Sequence, residues 1–139
     1  MEISDNIIVK LYKEILIKFE KELKNKKIGY DIKNKKLQLF IKKINLKLIP
    51  VDSKTTINKQ SLGNKNIIYF KYSGSQPYEL LRHFRNIVAH NKIEKDKIGR
   101  LNFLVFESWS QNNKGITMYG QIQENKLFDF IERLIQAKR

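Results

Sequence analysis

Residues 77–91 read Pro-Tyr-Glu-Leu-Leu-Arg-His-Phe-Arg-Asn-Ile-Val-Ala-His-Asn, and this stretch constrains the fold more than any other part of the chain. Its apolar residues recur at helical rather than strand spacing, at Leu80, Leu81, Phe84, Ile87 and Val88. At about 100° per residue these positions form one stripe, and the polar side chains lie on the remaining arc. The stretch therefore predicts an amphipathic helix that buries one face.

The ends of this predicted helix also carry recognisable signals. Ser75 or Gln76 can cap the start, and Pro77 suits the first turn because its missing N–H leaves no hydrogen bond unmade there. We expect the helix to stop near Asn91 or Lys92. The polar groups at 85, 86 and 90 then lie in its last two turns.

These polar groups suit the cleavage of RNA without a metal. RNA carries its own nucleophile, the ribose 2′-OH, so cleavage requires a base, an acid and positive charge on the phosphate. Arg85 offers a permanently charged fork of donors that matches phosphate oxygens. His90 can act as general acid or base near neutral pH, and Asn86, four residues earlier, can hydrogen-bond either the imidazole or a phosphate.

One helix supplies only one such histidine. On a helical wheel Arg85 lies about 140° from His90, so the two side chains diverge. Ala89 lies on the polar arc, where a small side chain would let a partner helix approach. We therefore formulate the hypothesis that a two-fold dimer, formed through this helix, brings two sets of Arg85 and His90 around one phosphate.

The motif Arg-Asn-x-x-x-His at residues 85–90 resembles the signature of the HEPN superfamily, the higher eukaryotes and prokaryotes nucleotide-binding proteins. The flanking sequence, from about Tyr69 to the C-terminus, is similar to a plasmid-borne bacterial branch of it. The resemblance implies a helical bundle, usually dimeric, whose motif helices line a cleft. It also implies a metal-independent endoribonuclease that leaves a 2′,3′-cyclic phosphate and can serve as a toxin or defence effector. By the motif, Arg85, Asn86 and His90 are the candidate catalytic residues.

Arg82 and Lys92 are the candidate RNA-binding residues, and for Arg82 a structural ion pair is an equally weighted alternative. Lys92 is a departure from the family, because HEPN toxins paired with nucleotidyltransferase antitoxins often carry tyrosine two residues after the histidine. An antitoxin or regulatory protein is a candidate partner.

The main functional alternative is a noncatalytic HEPN-like module for nucleotide or RNA binding or for dimerisation. His83 has no place in the motif and is expected to be an ordinary histidine at the core boundary.

The composition of the chain limits its possible domain organisation and site types. With 139 residues and 41% hydrophobic content, the chain fits a single domain over 1–139. It has no cysteine and only two histidines, seven residues apart, so we expect neither a disulfide nor a metal site, and no cofactor. The N-terminus lacks the pattern of a signal peptide, and no apolar run approaches the ~18 residues that span a bilayer. These features predict a cytoplasmic protein without a membrane segment.

A formal net charge of +14 fits a polyanionic partner such as RNA. Lysine, isoleucine and asparagine dominate the chain, a bias expected of AT-rich coding sequence, so part of the charge can reflect genome composition. A third functional class, a DNA-binding regulator, is supported by charge alone, since the sequence shows no recognition helix in a helix-turn-helix context.

The remaining segments predict further helices. A first helix, capped by Ser4 or Asp5, follows from apolar residues four apart at Ile7, Leu11, Ile15, Phe19 and Leu23, with Ile8, Tyr12 and Leu16 widening the stripe. A second helix is expected from Leu37 to Leu48, before Pro50, although alternation over 37–41 leaves a strand open. A C-terminal helix buries Leu127, Phe130, Ile131 and Leu134.

Other segments carry less regular patterns. Residues 67–72 form a short aromatic segment whose Tyr69, Phe70 and Tyr72 are expected to pack against the motif helix rather than to stack on bases. Residues 91–100 read as a charged connector. Apolar and β-branched residues over 101–109 and 115–122, around turn-forming residues 111–114, predict a hairpin. The predicted fold is thus mainly α, a HEPN-like helical bundle with one β-hairpin insertion before the C-terminal helix.

Overall fold

The computed structural model describes residues 4–23, 29–72, 74–112 and 114–138, without the side chains of residues 19, 22 and 23. The helical segments are α1 (Asp5–Leu11), a π-helical turn (Tyr12–Ile17), α2 (Lys18–Leu23), α3 (Lys35–Lys43), α4 (Gln76–Ala89) and α5 (Glu124–Gln136). The strands are β1 (Lys47–Val51), β2 (Ile67–Lys71), β3 (Ile93–Ile98), β4 (Leu101–Trp109) and β5 (Ile116–Gln123). The first three helical segments follow one another without a break.

The strands form one mixed sheet in the order β1-β2-β5-β4-β3. β1 and β2 are parallel, and the other neighbouring strands are antiparallel. α4 and α5 pack on one face of this sheet, and the π-helical turn packs on α4. The main core therefore lies between the helices and the sheet.

This architecture shows that the predicted fold class is wrong. The protein is a mixed α/β structure with a five-stranded sheet, not a mainly α bundle with one hairpin. The predicted hairpin does exist, as β4 and β5, but it occupies the middle of the sheet. Strand β2 pairs with β5 on one side of it, and β3 pairs with β4 on the other. β2 and β5 were not predicted to pair because they are distant in sequence, whereas β3, which pairs with β4 across the two-residue turn Gly99-Arg100, is too charged to show an apolar strand pattern.

The second predicted helix is correct only in its first part. α3 ends at Lys43, and Asn45 adopts φ +53°, a left-handed conformation that terminates the helix. The N–H of Leu46 closes the end by donating to the carbonyl of Ile41 at 3.0 Å. Leu48 then lies in β1 and not in the helix. Leu48 lies four residues after Ile44 in the sequence, so the helical pattern continued past the point where the chain turns.

The predicted charged connector at 91–100 contains an edge strand. β3 buries Ile93 but leaves most of its charged side chains partly or fully exposed, which is typical of a sheet edge. The aromatic segment at 67–72 is strand β2, where Phe70 is fully buried. Phe70 joins the core cluster that contains Leu80 and Phe84 of α4, as expected. The expected packing on α4 is wrong for Tyr69, which packs in a separate cluster, and Tyr72 is exposed.

The apolar faces of two predicted helices are largely as expected. Leu80, Leu81, Phe84 and Ile87 of α4 are buried, and so are Leu127, Phe130, Ile131 and Leu134 of α5. The Phe84 ring meets Phe106 edge-on, with centroids 5.1 Å apart, and Phe130 at 6.2 Å. These contacts fix the rotation of α4, and hence the direction of its polar side.

The first helical stretch follows its prediction less closely. Ser4 caps it, accepting from the N–H of Ile7, and Leu11 and Ile15 are buried. The expected widening of the stripe is wrong for Ile8 and Tyr12, which are exposed. The predicted core positions 19 and 23 lie outside the described side chains.

Residues 52–66 cover part of the opposite face of the sheet. Ile57, Ile116 and Tyr119, which we name the far-face cluster, are buried there. The Tyr119 hydroxyl donates to the carbonyl of Gln60 at 2.8 Å, and the buried Gln121 amide donates to the carbonyls of Gly63 and Lys65. These bonds hold an irregular segment against the hairpin. None of the helices in the described ranges is both long and apolar enough to cross a membrane.

Candidate functional site

The end of α4 is closed by its own backbone. His90 is the C-cap residue, and Asn91 follows with φ +52°. The N–H of Lys92 donates to the carbonyl of Ile87 at 3.0 Å, and the N–H of Asn91 donates to that of Val88 at 3.3 Å. This pair of bonds is a Schellman motif. It places His90 and Lys92 on a fixed turn. This turn lies within two residues of the predicted end of the helix, near Asn91 or Lys92.

A cleft of about 620 Å³ lies beside this helix end. Every candidate residue from the sequence lines it. The described residues that form its walls are Arg82, His83, Arg85, Asn86, His90, Lys92, Trp109, Ser110, Gln111 and Thr117. None of these is acidic, so the cleft favours an anionic ligand.

Arg85 and His90 reach the same cleft within one chain. The ideal helical wheel separated them by about 140°. His90, however, is no longer helical, with φ −105° and ψ 6°, so the wheel does not apply to it. A second copy of the chain is therefore not required to bring a guanidinium and an imidazole to one cavity.

Arg85 is held from outside the cleft by a carboxylate. Its Nε forms an ion pair with Oε1 of Glu20, which lies on α2. Both side chains are about two-fifths exposed, at 41% and 39%. The pairing occupies one edge of the guanidinium, whose remaining N–H groups are separate donors. Glu20 thus orients Arg85 rather than replacing a ligand.

Arg82 combines the two roles weighed from sequence. Its Nη2 lies 2.8 Å from Oε2 of Glu79, one helical turn earlier, and its side chain also lines the cleft. Glu79 is buried, so this pair neutralises a carboxylate that would otherwise lie unpaired in the protein. The ion pair is confirmed, and the proposed contact with RNA is compatible with it.

His83 lies deeper than a boundary residue, only 1% exposed. Its Nε2 is 2.8 Å from the carbonyl of Lys71, so this nitrogen carries the proton and donates. Nδ1 has no hydrogen-bond partner among the described residues. Burial lowers the pKa of the imidazole, partly opposed by the bond to Lys71, and nearby Arg82 lowers it further. His83 therefore ties α4 to the end of β2 as a neutral ring.

Asn86 and His90 line the cleft without contacting each other through their side chains. His90 is exposed and Asn86 is half-buried. The N–H of His90 donates to the backbone carbonyl of Asn86 at 3.0 Å, which is a helix bond. Among the described residues, no side-chain hydrogen bond of Asn86 orients the imidazole. The amide therefore remains available for a ligand.

Sequence reasoning missed the part of the cleft that comes from the hairpin. Trp109, Ser110, Gln111 and Thr117 lie at the turn between β4 and β5, and they reach the motif helix only because the sheet packs on it. No local pattern marks them as site residues. The only sequence signal was the presence of the chain's single tryptophan close to a predicted turn.

In the described part of the chain, no three His, Asp or Glu side chains lie close enough together to hold a metal ion. Comparisons with family models, with curated proteins and with solved structures find no match to this chain.

Proposed function

We propose that this protein is a metal-independent endoribonuclease that cleaves RNA by attack of the ribose 2′-OH. One observation carries the proposal: Arg85, Asn86 and His90 line one cleft together with Arg82 and Lys92. The spacing of the first three is the motif that resembles the HEPN signature. Neither the residue types of the motif nor their position on one helix would by itself bring all five side chains to one cleft.

The chemistry assigned to each residue follows from its functional groups. The 2′-oxygen attacks the adjacent phosphorus, the bond to the 5′-oxygen breaks, and the products are a 2′,3′-cyclic phosphate and a 5′-hydroxyl. His90 accepts the 2′-OH proton or donates one to the leaving 5′-oxygen. Arg85 donates to the phosphate oxygens through the N–H groups that Glu20 does not engage, and Asn86 adds an amide donor.

Arg82 and Lys92 would bind the flanking phosphates. Arg82 is partly exposed beyond its pair with Glu79, and Lys92 is exposed on the turn after α4. Neither is required to transfer a proton. Their loss should therefore weaken binding more than it slows the chemical step.

The primary test is cleavage of total bacterial RNA in excess EDTA, with analysis of the new ends. We expect the wild type to leave 2′,3′-cyclic phosphate, and His90→Ala and Arg85→Ala to be inactive but folded, because neither side chain is part of the core. Lys42→Ala, at an exposed α3 position away from the cleft, is the matched control and should cleave normally. Activity of His90→Ala equal to that of the wild type would refute the assignment.

A homodimer formed through α4 is the proposed source of a second proton-transfer group. Ala89 is exposed on the last turn of α4, as a helix-helix contact would need. Mixing the wild type with increasing amounts of inactive His90→Ala tests this directly. If one phosphate needs His90 from both chains, mixed dimers are inactive and cleavage falls with the square of the wild-type fraction. A fall in simple proportion to the wild-type fraction, with mixed dimers verified, would indicate that each cleft acts alone.

A noncatalytic RNA- or nucleotide-binding module is the second candidate, and two observations favour it. Arg85 is already paired with Glu20, and among the described residues no side-chain hydrogen bond of Asn86 orients the exposed His90 ring. This function predicts saturable binding with no new RNA ends. An antitoxin or regulatory protein is a proposed partner under either function.

A further inference from the structure

The part of the cleft that comes from the sheet carries one aromatic side chain. Trp109, the last residue of β4, is half-buried and lines the cleft. It also packs against the far-face cluster of Ile57, Ile116 and Tyr119. An indole held by such packing loses little conformational freedom when a ligand binds, so it is a preorganised surface for a flat ring.

A β-bulge fixes the backbone at this position. Ser108 faces Met118 and Trp109 faces Ile116, so Thr117 is an extra residue on β5. The Thr117 hydroxyl donates to the carbonyl of Ser108 at 3.2 Å and lies 3.1 Å from the Ser108 hydroxyl. Bulges redirect neighbouring side chains and are frequent beside binding sites. Here the bulge on β5 lies opposite the step from Ser108 to Trp109, and Trp109 lines the cleft.

Charge is distributed unevenly around the cleft. The cationic side chains come from α4 and the turn after it, as Arg82, Arg85 and Lys92. The described residues of the hairpin end that line the cleft are uncharged, and they are Trp109, Ser110, Gln111 and Thr117. A nucleotide has the same division, with an anionic phosphate at one end and a flat base at the other. A volume of about 620 Å³ is also within the range of small-ligand pockets, roughly 300–1,000 Å³.

We propose that this cleft binds single-stranded RNA with one base stacked on the indole of Trp109 and the adjoining phosphates on Arg82, Arg85 and Lys92. The proposal rests on the proposed function for its ligand class, but it assigns a base-binding residue that the motif does not contain. Duplex RNA would not bind in this way, because its bases are already stacked on one another. Gln111, whose amide carries donors and an acceptor, is placed to contact the edge of that base.

The single tryptophan makes this proposal directly measurable. In the uncleaving His90→Ala protein, titration with a short single-stranded RNA in EDTA should quench Trp109 fluorescence saturably. The same number of phosphates supplied as polyphosphate, which has no bases, should bind with much less quenching. Affinity is measured in parallel by anisotropy of labelled RNA. Trp109→Leu should weaken binding about tenfold or more, whereas Trp109→Tyr, which keeps a ring, should retain most of it.

The outcomes separate this proposal from the nuclease assignment. If RNA binds without quenching, and with equal affinity to proteins that carry tryptophan or leucine at position 109, base stacking is overturned. The nuclease assignment is unaffected by that outcome. Quenching by RNA, together with a wild type that never cleaves RNA, would refute the nuclease and support stacking. Equal quenching by RNA and polyphosphate would show that the indole senses charge alone, and this also overturns the proposal. Circular dichroism confirms that each Trp109 variant is folded.

Discussion

The two histidines show how environment decides the role of one residue type. His83 and His90 lie seven residues apart, which places them on nearly the same side of an ideal helix. His83 is buried against β2 and bonded to a backbone carbonyl, whereas His90 is exposed at the helix cap. Of the two rings, only that of His90 is exposed. The sequence motif selects the same histidine.

His83 should make the stability of the protein depend on pH. Its pKa is lowered from 6.5 in the folded state, chiefly by burial, so the unfolded chain binds a proton more readily. The free energy of unfolding should therefore fall as pH drops below about 6.5, and level off above it. His83→Gln keeps a donor for the Lys71 carbonyl but cannot titrate. Urea unfolding between pH 5 and 7.5 should show a smaller pH slope in this variant; an unchanged slope would assign the effect to other groups.

At the scale of elements, the closing turn of α4 determines where His90 and Lys92 lie. Asn91 has φ +52°, which costs most side chains about 1 kcal/mol but costs glycine nothing. We expect Asn91→Ala to lower the free energy of unfolding by about that amount and Asn91→Gly to preserve or raise it. Chemical denaturation of both variants provides the measurement. Equal destabilisation by alanine and glycine would mean that the asparagine side chain, not the backbone, is what matters.

The pairing of β2 with β5 depends on one glycine. A Cβ added at Gly120 would meet the carbonyl oxygen of Ile67 and lie 2.7 Å from the Cα of Ile68. Because backbone atoms in a central strand cannot move aside, Gly120→Ala should destabilise the protein by about 3 kcal/mol or more. Gly115→Ala is the matched control, since nothing lies within 4 Å of its added Cβ. A thermal melt of Gly120→Ala as stable as that of Gly115→Ala would contradict this strand register.

Helices and strands differed in how far the sequence predicted them. The apolar period of α4 and α5 is local, and it correctly identified Phe84 and Phe130 as core residues. β3 is charged and becomes a strand only by pairing with β4, which no local period records. The π-helical turn at Tyr12–Ile17 also departs from a pattern based on 3.6 residues per turn. Long-range strand pairing, a charged strand and local helix irregularity are thus the features that a local apolar period does not record.

At the scale of the whole molecule, the candidate site was predictable on one side only. Arg85, Asn86 and His90 were identifiable because one helix displays them at fixed spacing. Trp109 and Gln111 were not, because they join the cleft through the packing of the sheet on α4. The motif therefore indicated the proposed phosphate-binding side of the cleft, whereas the proposed base-binding side depends on tertiary structure.

The large net charge raises the question of whether RNA is bound by the cleft or by the whole basic surface. Each phosphate neutralised in single-stranded nucleic acid contributes about −0.7 to the slope of log K against log salt concentration. In the His90→Ala protein, Arg82→Gln combined with Lys92→Gln should reduce the magnitude of that slope by about 1.4, and the glutamine at 82 can still donate to Glu79. Lys42→Gln combined with Lys43→Gln removes the same charge from exposed α3 positions that do not line the cleft. If RNA binds in the cleft, only the first pair of substitutions changes the slope. Equal changes from both pairs would mean that RNA binds over the whole basic surface, and this would contradict the assignment of the cleft as the binding site.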